Sequence, residues 1–463
     1  MSRYKPYPKY KESGVEWLGE VPEYWEKYRI DWITTIIRGN TGFKKDELLN
    51  KGDFVALQYG KTYKVDEIND SFNFYVNSEF FKSNQVVHQG DTILVSTSET
   101  IEDLGHSCFY NRKELGLIGG EQILLKPYNK LLFGKYLYYY SRVFCNELRK
   151  YATGLKVFRF STDDLKNIFV SSPPLEEQTT IANFLDRETA KIDMLIAKQE
   201  RLIELLQEKR QALISHAVTK GLDPNAKMKE SGVAWLGEVP EHWEVTKMKY
   251  VIHRIESGTS VNASDTPASN EEIGVLKTSC VYTGKFDPSQ NKTVFKAEVS
   301  RVSCQLKENT LIVSRMNTPD LVGAAGFVEY APCNIYLPDR LWQVIFRSVV
   351  PVFVHYLTLT GIYRGYIQTV CEGTSSSMQN LAQEDFRNFI FALPDQDEQE
   401  QIADYLDTQT NKIDTLIEKA KQAITLLKER RTALISAAVT GKIQVNDEVR
   451  EETLVGCDVR EKG

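Results

Sequence analysis

KESGVEWLGEVPEYWE, residues 11–26, is written again as KESGVAWLGEVPEHWE at residues 229–244, with only two positions changed. A second duplicated stretch follows at nearly the same spacing. EEQTTIANFLDRETAKIDMLIAKQERLIELLQEKRQALISHAVTKG, residues 176–221, matches DEQEQIADYLDTQTNKIDTLIEKAKQAITLLKERRTALISAAVTGK, residues 397–442. A repeat of this kind outranks other signals, because each copy is one structural unit and missing it misreads the fold. The chain is therefore two half-repeats, each a short motif, a long divergent block and a helix.

The divergent blocks still correspond faintly. Leu57-Gln-Tyr-Gly-Lys61 parallels Leu276-Lys-Thr-Ser-Cys280, Ile93-Leu-Val-Ser96 parallels Leu311-Ile-Val-Ser314, and a turn at Gly154 parallels one at Gly373. A shared scaffold with different surfaces is what two readers of different targets would look like. Short alternating runs rich in Val, Ile, Phe and Thr, at residues 91–97 and 293–299, predict strands.

In the repeated C-terminal stretch, Ile181, Leu185, Glu188, Ile192, Leu195, Gln199, Leu202, Leu206, Lys209 and Leu213 fall on a heptad seam, seven of the ten apolar. The second copy keeps the register through Ile402, Leu406, Gln409, Ile413, Leu416, Ala420, Ala423, Leu427, Arg430 and Leu434. Each run follows a proline signal (Pro173-Pro174, Pro394) and ends at a glycine (Gly221, Gly441), as helix boundaries do. At 1.5 Å per residue each helix is expected to span roughly 50 Å. The natural partner for each seam is the other one.

At 463 residues the chain suits two or more domains. Residues 1–11 are basic and rich in Tyr and Pro without the apolar core of a secretory signal, and the most apolar stretch, 349–363, is broken by Pro351 and His355. A cytoplasmic protein is the expectation. Seven cysteines, an odd number with no CxxC pair, fit buried free thiols better than a zinc module or disulfide framework. The net charge of −6 argues at first against nucleic acid. Its distribution removes the objection, because residues 27–170 carry +3 and residues 245–393 carry +1, so the acidity lies outside the two large blocks.

No phosphate-binding glycine loop, HExxH helix, GxSxG elbow or dinucleotide fingerprint occurs. Ser171-Ser-Pro-Pro-Leu175 has Ser and Leu where an amino-methyltransferase motif needs an amide or carboxylate and an aromatic ring, so it reads as a helix start. Pro319-Asp320, Pro338-Asp339 and Pro394-Asp395 lack the acidic-x-Lys element that would complete a nuclease metal site. The six histidines are scattered, and His216 and His242 are replaced in the other copy by Ala437 and Tyr24, which excludes a shared catalytic role. The pattern points to binding rather than catalysis.

The order SGVxWLGEVPExWE, variable block, PPLEEQxxIAxFLDxxTxKID, Leu-rich helix, RxALISxAVTxG resembles the specificity subunit of type I restriction-modification systems, over nearly the whole chain. The resemblance implies an α+β protein in which two tandem mixed α/β target recognition domains are joined by two long antiparallel coiled-coil helices in a pseudo-twofold internal repeat. On that reading residues 1–172 and 222–393 are the recognition domains, 173–221 and 394–442 the spacer helices, and 443–463 an acidic, disordered tail. It also implies no catalytic residue, metal or cofactor on this chain. Double-stranded DNA, two modification subunits and restriction subunits are the implied partners, with S-adenosylmethionine, ATP and magnesium bound by those subunits, and no membrane is involved.

For DNA contact, loops that combine basic, amide and aromatic groups around glycines are the candidates, since such loops bring backbone to phosphate and side chains to base edges. In the first block these are Lys44, Lys45, Gln58, Tyr59, Lys61, Tyr63, Lys156 and Arg159. In the second they are Lys277, Thr278, Ser279, Arg315, Asn317, Ser375, Ser376 and Gln379. Trp17, Leu18, Trp235 and Leu236, in the motif duplicated almost verbatim, are the expected docking residues for two identical partners.

Overall fold

In a computed structural model that describes residues 4–154, 156–375 and 378–445, with the backbone path alone for 372–375, the repeated stretches are helices at Leu175–Lys220 and Gln396–Val439. They have 46 and 44 residues, about 66–69 Å at 1.5 Å per residue, longer than the roughly 50 Å expected because both continue past the heptad seam at each end. Pro174 and Asp395 precede them, and the Asp395 carboxylate accepts the Glu398 amide at 2.9 Å, satisfying a free first-turn donor. Gly221 and Gly441 stop them in the left-handed region at φ +77° and +71°, where a side chain is strained. At Gly441 a Cβ would also lie 2.3 Å from the Pro22 ring.

The chain divides into two compact units, residues 1–198 with 423–463, and residues 199–422. Each unit contains the start of one long helix, the end of the other, and one divergent block. Within each unit the helices run antiparallel. In the first, Asp193 faces Arg431 while Ile181 and Leu185 share a core with Ile435 and Val439. In the second, Arg210 faces Asp414 while Ile214 and Val218 share a core with Ile402 and Leu406.

Mutual packing of the helices thus holds, but the seam is not the uniform heptad expected. Leu206, Ile413 and Ile417 form the helix-to-helix apolar cluster, whereas Leu195, Leu202 and Leu416 are 45%, 42% and 49% exposed. An untwisted helix drifts from a 3.5-residue repeat, and the outer turns are claimed by the globular cores instead.

Each unit stacks two small sheets. In the first, Thr34–Arg38, Gln122–Pro127, Thr92–Val95, Ser107–Tyr110 and Glu67–Ile68 lie side by side, all neighbours antiparallel except the last pair. The second sheet is Tyr75–Val76, Phe54–Leu57, Gly116–Ile118 and Val86–Val87. Val55, Leu57, Ile93, Ile118 and Leu124 fill a core between the two sheets. The other unit keeps the first four strands of the larger sheet in the same order, Ile252–Ser257, Leu341–Phe346, Thr310–Ser314 and Ala325–Val328, while its second sheet runs Ala263–Ser264, Asn291–Val294, Gly274–Leu276 and Ile335–Tyr336, with the parallel pair at its edge. The run at 293–299 departs from expectation, since its strand ends at Val294 and Lys296–Arg301 is a 3-10 helix. Its alternate apolar residues Phe295 and Val299 are exposed, so the alternation faces no core.

The near-verbatim motif closes each unit. Trp25 and Trp243 are fully buried, and the strands that follow them, Glu26–Arg29 and Glu244–Lys247, pair with Phe169–Ser172 and Ile390–Leu393 just before each long helix. The first-turn glutamate is the polar anchor in both. Glu177 accepts the Tyr7 hydroxyl at 2.6 Å and the Tyr24 hydroxyl at 2.9 Å, while Glu398 accepts from the Trp243 indole at 2.9 Å and pairs with His242 at 2.8 Å. His242 and Tyr24, different in chemistry, therefore share one role as partners of that carboxylate. The next residue repeats too: Gln178 and Gln399 each accept a backbone amide, of Phe133 and Val350, at 2.8 Å.

Of the cysteines, Cys108, Cys145 and Cys280 are buried free thiols, Cys304 and Cys371 half-buried, and Cys333 exposed. Cys457 and the rest of the acidic tail from residue 446 lie outside the described residues. Among the described residues no helix is long and apolar enough to cross a membrane.

Trp243→Ala removes a fully buried ring and one of the Glu398 partners; a loss of about 3–5 kcal/mol is expected in urea unfolding. Asp66 makes a pH prediction. Burial alone would raise its pKa, but Arg142 and Arg431 outweigh that and hold it below the usual carboxylate range. A carboxylate depressed in the folded state stabilises above its unfolded pKa, about 3.9, and the contribution is lost as pH falls through the lower folded value. Unfolding free energy measured from pH 7 to pH 2.5 should therefore fall on the acid side, and Asp66→Asn should flatten that limb.

Candidate nucleic-acid interface

The three predicted segments of the first unit converge around a turn that the sequence did not single out. Thr41, just before Lys44 and Lys45, bridges Gly119, and Gly119 N donates to the Leu57 carbonyl at 3.0 Å. Gly119 is required there, since a Cβ would sit 2.6 Å from that carbonyl oxygen. The chain then turns through Glu121, a non-glycine residue at φ +61°, whose carbonyl accepts Ser96 N at 3.1 Å and whose carboxylate accepts the Thr97 hydroxyl. Strained backbone of this kind is concentrated at functional sites. Thr97–Ser98 pairs in turn with Phe158–Arg159, which brings Arg159 to the same place.

The helical turn Tyr59–Thr62 completes the patch. The Tyr59 and Tyr63 rings stack at 5.6 Å, and the Gln122 amide donates to the Thr62 hydroxyl. Burial, followed by the charges of Tyr63, Glu99, Asp103 and Glu121, raises the Tyr59 pKa, which keeps its phenol a donor. Gln58 and Lys61 are half-exposed and Lys44, Lys45, Lys156 and Arg159 exposed; the Lys61 ammonium lies over the Phe74 ring at 4.5 Å.

The second unit builds the same arrangement from other side chains. Arg315 N donates to the Arg340 carbonyl at 3.0 Å, as Ser96 does to Glu121, so Arg315 stands where Ser96 does and Arg340 where Glu121 does; the expected match of Ser96 with Ser314 is one residue out of register, since it is the Val95 and Ser314 carbonyls that accept Gly105 N and Gly323 N. Met316–Asn317 pairs with Met378–Asn380, which pairs with Glu372–Ser375. Asn317 and Gln379 are directly opposite each other. The Arg315 Nε and the Gln379 Oε1 are buried without hydrogen-bond partners, two unused polar atoms on neighbouring strands. Such atoms cost free energy unless something meets them. Asn317 Nδ2 donates to the Tyr282 hydroxyl at 3.0 Å, and that hydroxyl meets Thr278 Oγ1 at 2.8 Å.

Two more predicted residues are engaged within the domain: Lys277 Nζ donates to the Asp265 carbonyl at 3.3 Å and Ser279 Oγ to Gln290 at 3.0 Å. Ser375 contributes its backbone to the outer strand, and Ser376 lies outside the described residues.

The sequence reading missed Glu121, Tyr282, Arg340 and Asn380. The Gly119-Gly120 dipeptide and the Pro338-Asp339 turn were the available signals. Among the described residues no group of three or more His, Cys, Asp or Glu could hold a metal.

The repeated motif places its docking candidates unevenly. Leu18 and Leu236 are buried at 3% and 4% exposure, Leu18 within the core of its unit, so they have almost no surface to offer in this conformation. Trp17 is half-buried against Tyr140, and Trp235 is 46% exposed beside Tyr366. A second equivalent pair, Trp32 and Tyr250, is exposed, with Arg29 over the first ring and Lys249 over the second.

Comparison with known proteins agrees along almost the whole length. The family model for the type I restriction modification DNA specificity domain matches residues 22–205 and again 240–426. The EcoKI type I restriction enzyme specificity subunit of Escherichia coli K12 is 21% identical over 434 residues, 92% of this chain and 90% of that protein. The MjaVIII specificity subunit of Methanocaldococcus jannaschii is 24% identical over 446 residues, 95% and 98% of the two chains. Among solved structures, a chain from work on complex assembly and conformational transition of the type I R-M system superposes with a TM-score of 0.65 at 15% identity, covering 90% of this chain and 98% of that one. The HsdS subunit from Thermoanaerobacter tengcongensis gives 0.52 at 16% identity, covering 91% and 98%. Two matched specificity domains, each carrying the same surface in different side chains, make this chain a member of the type I restriction-modification DNA specificity family and the specificity subunit of such a system.

Proposed function

We propose that each unit reads one half of a bipartite, asymmetric DNA site, and that the long helices set the length of the unread gap. One observation carries this reading: the two units hold equivalent backbone positions with chemically different side chains. Ser96 is matched by Arg315, Glu121 by Arg340, and the strand bearing Arg159 by the strand bearing Gln379 and Asn380. Base edges in the major groove differ only in their donors, acceptors and the thymine methyl, so changing those groups on a constant frame changes the sequence read. Arg suits guanine, Gln and Asn suit adenine, and a carboxylate such as Glu121 accepts from cytosine. The remaining lysines, Lys44, Lys45, Lys61 and Lys156, supply phosphate contact without sequence information.

The chain itself is non-catalytic in this scheme. It directs adenine methylation by two modification subunits that bring S-adenosylmethionine, and cleavage by restriction subunits that use ATP and magnesium. Duplicated surfaces suit duplicated partners, and Trp17 with Trp235 is the docking pair. That a similar solved chain comes from work on complex assembly of the type I R-M system supports a subunit that acts within such a complex.

Arg315→Ala and Arg159→Ala should each weaken DNA binding by the complex of this chain with its modification subunits. A bidentate base contact is worth about 1–3 kcal/mol, roughly fivefold to 150-fold in affinity, while assembly by size-exclusion chromatography stays unchanged. Parental affinity at fixed salt would remove those residues from the interface. The larger scheme is tested by methylome sequencing of cells expressing the chain with its modification partner. A bipartite methylated-adenine motif is expected, and replacing residues 245–393 with another block should alter one half of it; a motif that stays whole after that exchange sinks the scheme.

A further inference from the structure

Each unit contains one interhelical ion pair, and the two are copies of each other. Arg431 Nε lies 3.0 Å from Asp193 Oδ1, and Arg210 Nε lies 3.5 Å from Asp414 Oδ1. Position 431 repeats 210 and position 414 repeats 193 in the duplicated stretch, so each helix pair presents one cation and one anion side by side.

One residue of each recognition domain reaches that pair, from the same place in the block. Asp66 follows Tyr63 by three residues, and Lys285 follows Tyr282 by three, immediately after the turn that carries candidate DNA contacts. Asp66 Oδ2 accepts from Arg431 Nη2 at 2.9 Å. Lys285 Nζ donates to Asp414 Oδ2 at 2.6 Å. The signs are opposite, yet both engage the same repeated pair, one through its arginine and the other through its aspartate.

A third residue balances the difference. Arg142 Nη1 is 2.8 Å from Asp66, so this carboxylate sits between two guanidinium groups. The matching amide acceptances by Gln178 from Phe133 and by Gln399 from Val350 align Arg142 with Leu359, which has no charge to offer Lys285. Each divergent block thus brings its own sign, the first block adding Arg142 to compensate its acid, while the helices provide both halves of the lock unchanged.

We propose that Asp66 and Lys285 are interchangeable charge latches, positioning residues that seat each recognition domain on its helix pair and so restrict the gap between half-sites. The proposal rests on the specificity reading above. Ion pairs that remain partly exposed contribute little to stability, and Lys285 is 59% exposed, so orientation is what its contact can supply, whereas the more enclosed Asp66 adds stability as well. Side-chain geometry of a bidentate-capable arginine and of a lysine point charge differ, but both hold a carboxylate at hydrogen-bond distance.

The test uses the full chain assembled with its modification subunits, on duplexes carrying the methylated motif with its native gap or with one base pair added or removed. The measured quantity is the ratio of methylation rates on native and altered gaps. Lys285→Ala and Asp66→Ala should each lower that ratio at least threefold. Asp66→Lys combined with Arg142→Leu rebuilds in the first unit the arrangement of the second, and should keep the parental ratio. The latch is overturned if both alanine variants discriminate gaps as the parent does, or if the rebuilt variant behaves like Asp66→Ala. A parent complex that methylates no bipartite site at all overturns the specificity reading instead.

Discussion

Burial of the ends of two long helices in cores they did not bring with them is the constraint on which the rest depends. A helix of 46 residues with alternating charged and apolar faces has no reason to be stable alone, since most helical stability comes from tertiary packing of an apolar face. Here Ile181 and Leu185 at one end of the first helix join a core with Ile435 and Val439 from the last turns of the second. Ile402 and Leu406 do the same with Ile214 and Val218. The core of each unit therefore includes apolar residues from both helices.

The near-identical motif follows from that constraint. Trp25 and Trp243 pack where one helix ends, and Gly441 and Gly221 must be glycine because the chain turns left-handed against those rings and their neighbouring prolines. Glu177 and Glu398 then tie the start of each long helix to the same motif. Positions that meet both helices and the domain at once have few acceptable substitutes. That explains why 16 residues recur with two changes while the blocks between them have drifted almost beyond alignment.

Within the blocks, backbone geometry has been kept and side chains released. The Ser96-to-Glu121 hydrogen bond and its Arg315-to-Arg340 counterpart use only main-chain atoms, so they place no demand on residue type. This is why Arg159, Arg315 and Gln379 were legible as basic or amide groups near glycines, whereas Glu121 and Arg340 were not. They are brought to the site by strand pairing far along the chain, and neither belongs to a polar cluster in sequence. Leu18 and Leu236 show the converse, since a duplicated apolar residue looks the same in sequence whether it faces a partner or its own core.

The order of elements, the two helices with their proline and glycine boundaries, and membership of the specificity family were all readable from the sequence, because a repeat can be compared with itself without knowing any coordinates. What only tertiary structure decided is where the helical seam goes. Leu195 and Leu202 satisfy the heptad yet lie exposed, while Ile417, off that register, is buried against the other helix. It also decided that Asp66 and Lys285, opposite in charge, meet the same repeated ion pair. Periodicity reports which residues share a face of one helix; which of those faces is covered depends on atoms hundreds of residues away.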